Sequence, residues 1–207
     1  MKLEDNYYSK YQGLYTKYLK DIAINLAAHI ENSLDSVKRI DRVSARAKSP
    51  DKFFEKSNKL IDGKLKYDDP FSQIQDQIGA RVIVFYLDDV ESVSQEISKY
   101  YRAIENQYRL PESEDQFGYF GQHFILSLPE DVFDETPEDV ALPSFFELQI
   151  KTLFQHAWSE ANHDLAYKPT DKLTPLQKRK IAFSAAQAWG ADQLFNDMHQ
   201  MLSANDP

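Results

Sequence analysis

Asp76 and Glu147 are two acids of this chain whose types and positions could do chemistry. Asp76 stands just ahead of the apolar run Arg81-Val82-Ile83-Val84-Phe85-Tyr86. Glu147 lies in Phe145–Thr152, where Phe146, Leu148 and Ile150 alternate with Glu147 and Gln149. A period of two puts the polar pair together on one face of a strand, where a half-buried strand would meet a cleft. Mg²⁺ prefers hard oxygen ligands and often takes only one or two protein carboxylates beside phosphates and water, so Asp76 and Glu147 could supply that pair. Glu147 could also orient or deprotonate an attacking hydroxyl. Each acid has a plainer reading: Asp76 as a turn or cap residue, Glu147 as an ordinary surface glutamate.

The charge distribution bears on the substrate. The formal net charge of −9 argues mildly against nonspecific binding to nucleic acid or an anionic membrane. Locally, however, the chain divides. Basic residues dominate from Lys38 to Lys66 (Arg39, Arg42, Arg46, Lys48, Lys52, Lys56, Lys59 and Lys64 lie between), whereas no lysine or arginine lies between Arg109 and Lys151. Such a split suits a polyanion at one pole and a metal or a less charged group at the other; two solvated faces of opposite sign are the competing reading. The absence of cysteine excludes disulfides and thiolate metal sites and fits a reducing compartment. Met1–Asn6 lacks the apolar core of a signal peptide, and no apolar run could span a bilayer, so a cytoplasmic protein without a membrane partner is expected.

Periodicity supplies the elements that must position these residues. Tyr11, Leu14, Tyr15, Tyr18, Leu19, Ile22, Leu26 and Ile30 mark a long amphipathic helix. Ser49-Pro50 breaks the pattern before a basic helix over 51–60, and Ile61-Asp62-Gly63 and Asp68-Asp69-Pro70 are turn chemistry. The run 81–86 reads as a strand buried on both faces. Val90, Val93, Ile97 and Tyr101 mark a helix packed on it, and further strands are expected over 104–109, 124–128 and 145–152. Helices over 153–165 and 175–202 close the chain, after an acidic loop carrying Pro129, Pro137 and Pro143. This pattern predicts an α/β (α+β) fold, a mixed sheet flanked by helices in a single domain spanning 1–207. Within it, 1–40 is an N-terminal helical segment, 41–170 the catalytic core and 171–207 a C-terminal helical segment.

Four stretches then stand in order: Arg46-Ala47-Lys48 with Lys52 and Lys56; Asp76-Gln77-Ile78-Gly79-Ala80-Arg81; Gly118-Tyr119-Phe120-Gly121-Gln122-His123; and Glu147-Leu148-Gln149-Ile150-Lys151-Thr152, running on to Asn162-His163-Asp164-Leu165-Ala166-Tyr167-Lys168. Over about residues 40–170 this ordered set resembles the synthetase domain of the RelA/SpoT family, in particular its small stand-alone alarmone synthetases. The resemblance implies a nucleotidyltransferase-like fold and transfer of the β,γ-pyrophosphate of ATP to the 3′-hydroxyl of GDP or GTP. Asp76 would then hold Mg²⁺, and Glu147 would activate the acceptor and assist with the metal. Catalysis of this kind is mainly alignment and charge neutralisation. By the same resemblance Arg46 and Arg81 would sandwich the adenine of ATP, and Lys48 and Lys56 would meet its phosphates. Lys52, where the family often has serine, would make the ATP site more cationic.

On the acceptor side the resemblance implies stacking of guanine on Tyr119, with His123, Gln149 and Lys151 completing the site. There the chain departs from the family pattern, which reads Gly-Tyr-Arg-Ser-Leu-His: Phe120, Gly121 and Gln122 precede His123, and Pro111-Glu112-Ser113-Glu114-Asp115 stands where lysines are frequent. A missing guanidinium removes roughly 1.5–3 kcal/mol of charge-assisted bonding from an acceptor phosphate. Other acceptors, the tRNA 3′ end or an adenine nucleotide, stay open, as do a non-catalytic nucleotide-binding module, a homo-oligomer and a cognate antitoxin. His156, Glu160, His163 and Tyr167 share a helix face that would suit zinc, but this stretch matches the family's structural helix and Mg²⁺ is the cofactor expected. Lys59, Lys64 and Lys66 are expected to be a solvated basic face.

Overall fold

The computed structural model describes residues 2–108, 117, 121–134, 140–166 and 173–204. Tyr119 and Phe120 lie outside the described residues. Helix α1 (Lys2–Leu14) runs through a π-helical turn (Tyr15–Leu19) into α2 (Lys20–Ser33). The π turn has a sequence cause. Tyr11 and Leu14 face the core, and so do Leu19, Ile22, Leu26 and Ile30. The step from Leu14 to Leu19 is five residues, and an i→i+5 turn absorbs it without rotating the apolar stripe out of the core.

Strand β1 (Ile40–Ala47), helix α3 (Pro50–Ser57) and a two-residue hairpin of β2 (Leu60–Ile61) and β3 (Lys64–Leu65) follow. Ser49-Pro50 begins α3: the Ser49 hydroxyl accepts from the Lys52 N–H (3.4 Å) and Pro50 takes the first turn, where no N–H is needed. Asp62 and Gly63 adopt positive φ (51° and 77°) at the hairpin tip. A short α4 (Pro70–Gln73) and a 3₁₀ turn (Gln75–Gln77) lead into β4 (Ile78–Val84). The remaining elements are α5 (Leu87–Tyr100), β5 (Ala103–Tyr108), β6 (Gln122–Ser127), β7 (Phe145–Thr152), α6 (Leu153–Ala166) and α7 (Pro175–Ser203).

Five strands form one sheet in the order β1-β4-β7-β6-β5, with β4 and β7 parallel and the other pairs antiparallel. The fold is therefore the mixed α+β sheet with flanking helices that the sequence predicts. Its two faces differ in chemistry. Ala80, Val82, Val84, Phe124, Leu126, Phe146, Leu148 and Ile150 point into the apolar cluster that also takes in α1, α2 and α5. Truncating a buried leucine such as Leu148 to alanine costs about 2–5 kcal/mol. The opposite face carries the in-register row Arg46–Gly79–Glu147–Ile125, and the next row is Ser44–Arg81–Gln149–His123. Residues of one row and the next, two positions on, share a face.

Several elements differ from expectation for identifiable reasons. β4 starts at Ile78 and stops at Val84; both its faces are buried only over Val82-Ile83-Val84, and Phe85 is exposed. What ends it is Asp89, a fully buried carboxylate that accepts the Tyr86 N–H (3.1 Å) and pairs with Arg39 (2.7 Å), so Tyr86 becomes the cap of α5. Helix α3 stops at Ser57, and Leu60-Ile61 becomes the first arm of the hairpin. Periodicity assigns no strand ahead of Arg81, yet Ile40–Ala47 forms β1.

Candidate active site

The carboxylate at the centre of the site is fixed by backbone chemistry. Asp76 sits in the 3₁₀ turn before β4. The buried Gln77 amide donates to the carbonyls of Phe71 (2.7 Å) and Ile74 (3.1 Å), locking that turn, while the Lys48 N–H donates to the Gln77 carbonyl (2.8 Å). This last bond ties the end of β1 to the turn and brings the lysine beside the acid. Helix α1 adds a second tie: Tyr11 donates to the Lys48 carbonyl (3.1 Å) and stacks on Phe53 of α3 (centroids 3.7 Å, planes 5° apart). Lys48 Nζ and Lys56 Nζ consequently both reach Asp76 Oδ2, at 3.1 and 2.8 Å. Asp76 Oδ1 is buried and has no hydrogen-bond partner among the described residues.

Glu147 stands in the middle of the sheet with both carboxylate oxygens engaged. Oε1 lies 3.0 Å from His123 Nδ1, and Oε2 accepts from Gln149 Nε2 at 3.2 Å. Gln149 Oε1 is buried without a partner among the described residues. His123, expected at the acceptor, both lines one of the clefts on this face and holds the Glu147 carboxylate.

Two clefts of similar size, about 480 and 490 Å³, open on this face of the sheet. One is walled by Arg46, Lys48, Lys52 and Arg81, with Gly79 as its floor; the other by Lys56, Lys66, Tyr67, Glu105, Gln107 and His123. Asp76, Glu147 and Gln149 line both, so they form the wall where the clefts meet. Among the described residues no group of three or more His, Asp or Glu side chains could hold a metal alone. The lone pair of Asp76 Oδ1, with Glu147 on the same wall, is the carboxylate pair that fits a hard cation sharing phosphate ligands.

Arg46 and Arg81 are diagonal neighbours on adjacent strands, since Arg46 pairs with Gly79 and Ser44 with Arg81. Arg81 does not stand free in the cleft: its Nη1 meets Glu160 Oε1 at 2.8 Å and His156 Nδ1 at 3.2 Å, both on α6. Burial and the Arg81 guanidinium hold the His156 imidazole below its ordinary value, so its Nδ1 can accept from Arg81. Burial alone would raise Glu160, but the charge and hydrogen bond of Arg81 outweigh it and the carboxyl lies below its ordinary value. His156 and Glu160 are therefore turned to Arg81, while Tyr167 of the zinc reading lies outside the described residues.

Lys151 is 6% exposed, donates to Ser159 on α6 (3.1 Å) and lines neither cleft, because α6 covers that end of the sheet. Two residues with no expected place in the nucleotide sites, Lys66 on an expected solvated face and His163 on the helix face weighed for zinc, line the clefts. Lys66 follows the hairpin into one cleft, and His163 borders the other. The Asp62-Gly63 turn, which folds the chain back after α3, was the signal available for Lys66.

A family model described as the region found in RelA and SpoT proteins matches residues 45–172. No curated protein sequence matches the chain significantly. Among solved structures the chain is similar to a GTP pyrophosphokinase family protein from Streptococcus pneumoniae, with 22% identity, a TM-score of 0.70 and coverage of 96% of this chain and 98% of that one. It is similar also to small alarmone synthetase 1 from Bacillus subtilis (17% identity, TM-score 0.70, 88% and 95% covered). That synthetase bound to its product pppGpp gives 18% identity and a TM-score of 0.70, with 94% and 97% covered. At these identities the likeness is one of fold.

Proposed function

This chain belongs to the family of the region found in RelA and SpoT proteins, and from that premise we propose that it is a pyrophosphokinase moving the β,γ-pyrophosphate of ATP to the 3′-hydroxyl of GDP or GTP. The observation that carries the proposal is the pair of clefts meeting at Asp76, Glu147 and Gln149. A group transfer between two nucleotides needs two nucleotide-sized recesses with the charge-handling residues on their common wall. Support also comes from relatives of the same fold, one of which is a small alarmone synthetase bound to its product pppGpp.

In this reading ATP occupies the cleft walled by Arg46, Lys48, Lys52 and Arg81, its adenine between the two diagonal guanidinium groups. The acceptor occupies the other cleft, with its 3′-hydroxyl at Glu147. Glu147 takes the hydroxyl proton as the oxygen attacks the β-phosphorus. The bond from that phosphorus to the α,β-bridging oxygen breaks, and AMP leaves with the bridging oxygen and its charge. His123 and Gln149 fix the carboxylate so that a lone pair faces the acceptor rather than rotating away. Lys48 and Lys56, drawn in by Asp76, present two ammonium groups to the phosphates in transit. Asp76 and Glu147 would hold Mg²⁺, which when bound would neutralise phosphate charge.

Mass analysis of products from ATP and Mg²⁺ with GDP, GTP, ATP or tRNA tests the proposal. AMP together with a guanosine bearing a 3′-pyrophosphate is expected. Release of AMP with transfer only to tRNA or an adenine nucleotide would overturn the guanosine acceptor. No AMP under any condition would overturn the pyrophosphokinase.

A further inference from the structure

The acidic stretch between Arg109 and Lys151 leaves the acceptor without an evident cation from its own part of the sequence. The fold supplies one from elsewhere. Hairpin β2–β3 returns the chain after α3, its end fixed by the Lys66 N–H donating to the Lys59 carbonyl (2.8 Å), and this puts Lys66 on the cleft that also holds His123 and Glu147. Two lysines line that cleft. Lys56 is committed to Asp76 at 2.8 Å. Lys66 has no ion pair among the described residues; its ammonium lies over the Tyr67 ring, 5.1 Å from the centroid. An ammonium resting on an aromatic face at the mouth of a polar recess is readily recruited by a stronger anion, since the cation–π contact at an exposed site is weak.

We propose that Lys66 is a specificity-determining residue that binds the 5′-phosphates of the acceptor nucleotide, so that this cleft selects nucleoside di- and triphosphates over monophosphates. The inference rests on the assignment of this cleft to the acceptor. Tyr67 supplies the resting place, and Lys56 on the same cleft adds positive potential without being released from Asp76. The contact is solvent-exposed, so it is screened by salt.

The test is the ratio of kcat/KM for GTP, GDP and GMP, with KM for ATP, in the parent and in Lys66→Ala, Lys66→Arg and Lys64→Ala. Lys64 is exposed on the same hairpin and lines neither cleft. In the parent, GTP and GDP should be preferred over GMP. Lys66→Ala should cut that preference by roughly tenfold, in line with one charge-assisted bond, with KM for ATP little changed. Lys66→Arg should keep the preference, and Lys64→Ala should resemble the parent. An unchanged GTP-to-GMP ratio in Lys66→Ala overturns the inference alone. A raised KM for ATP with the ratio intact overturns it too and assigns Lys66 to the donor phosphates. A parent that uses no guanosine nucleotide overturns both the inference and the acceptor it rests on.

Discussion

His123 and Glu147 face each other diagonally across the β6–β7 ladder, imidazole Nδ1 to carboxylate Oε1 at 3.0 Å, with the histidine buried and the acid at the wall between two clefts. A base that must collect a proton from a hydroxyl gains from being unable to rotate. Glu147→Gln should therefore abolish transfer and leave ATP binding nearly intact, because the side chain keeps its shape and loses its basicity. His123→Ala should lower kcat by about 10²-fold with a smaller change in either KM, since what is lost is orientation. Steady-state kinetics together with ATP titration by calorimetry separate the two. Parent-like turnover in Glu147→Gln would remove it from the mechanism, and a His123→Ala defect confined to acceptor KM would return the histidine to acceptor binding.

Asp76 pairs with two lysines through one oxygen while its other oxygen has no partner among the described residues. Asp76→Asn halves neither volume nor reach but removes the charge that gathers Lys48 and Lys56. The variant should need more Mg²⁺ for half-maximal rate and show a lower maximal rate, because an anionic hard ligand is lost. A magnesium titration superimposable on the parent's would show that the acid serves only the lysines.

Legibility in the sequence followed the strength of the local signal. β7 was readable to the residue because Phe146, Leu148 and Ile150 alternate with polar neighbours, and this alternation also flagged Glu147. β1 carries alternation too, Val43, Ala45 and Ala47 against Arg42, Ser44 and Arg46, but alanines give a faint apolar signal and the arginines read as one basic stretch. That Arg46, Lys48, Arg81 and Glu147 share a wall depends on strand order, which no local pattern contains. The partners of the charged groups were hidden for the same reason. Glu160 is seventy-nine residues from the arginine it pairs with, and Lys151 reaches its serine only because α6 folds back over the sheet.

The Arg81–His156–Glu160 cluster makes a statement about pH. His156 lies below its ordinary value of 6.5 in the folded chain, so around and below that pH the unfolded chain binds more protons and stability falls with acidification. Glu160 is likewise depressed, and its contribution is present above its ordinary value of 4.5 and is lost as pH drops through the lower folded value. Both act in one direction. The thermal midpoint should decline between pH 7 and pH 5, and His156→Gln should flatten the decline, while Glu160→Gln, which removes a carboxylate that raises the imidazole, should keep or steepen it. A decline in His156→Gln equal to the parent's would place the titrating group elsewhere.

Gly121 stands immediately ahead of β6 and packs against β7. A Cβ built there would collide with the Ile150 carbonyl oxygen and crowd the Lys151 side chain at 2.6 Å. The obstacle is chiefly backbone, and that backbone belongs to β7, which lies between β4 and β6 and carries Glu147 three residues upstream. It cannot step aside without loosening the ladder. Serine is the residue usual at this place in the family pattern, so Gly121→Ser tests whether this chain has come to depend on the closer approach. We expect Gly121→Ser to lose about 1–3 kcal/mol of unfolding free energy, the range for overpacking a well-filled site, read as a lower urea midpoint at unchanged slope. Transfer activity should fall as well, because displacing β6 from β7 moves His123 relative to Glu147. Gly121→Ala should do nearly as much, since the clash begins at Cβ. A parent-like midpoint in both variants would mean that the start of β6 lifts from β7 at little cost, and the close approach would then impose nothing on the site.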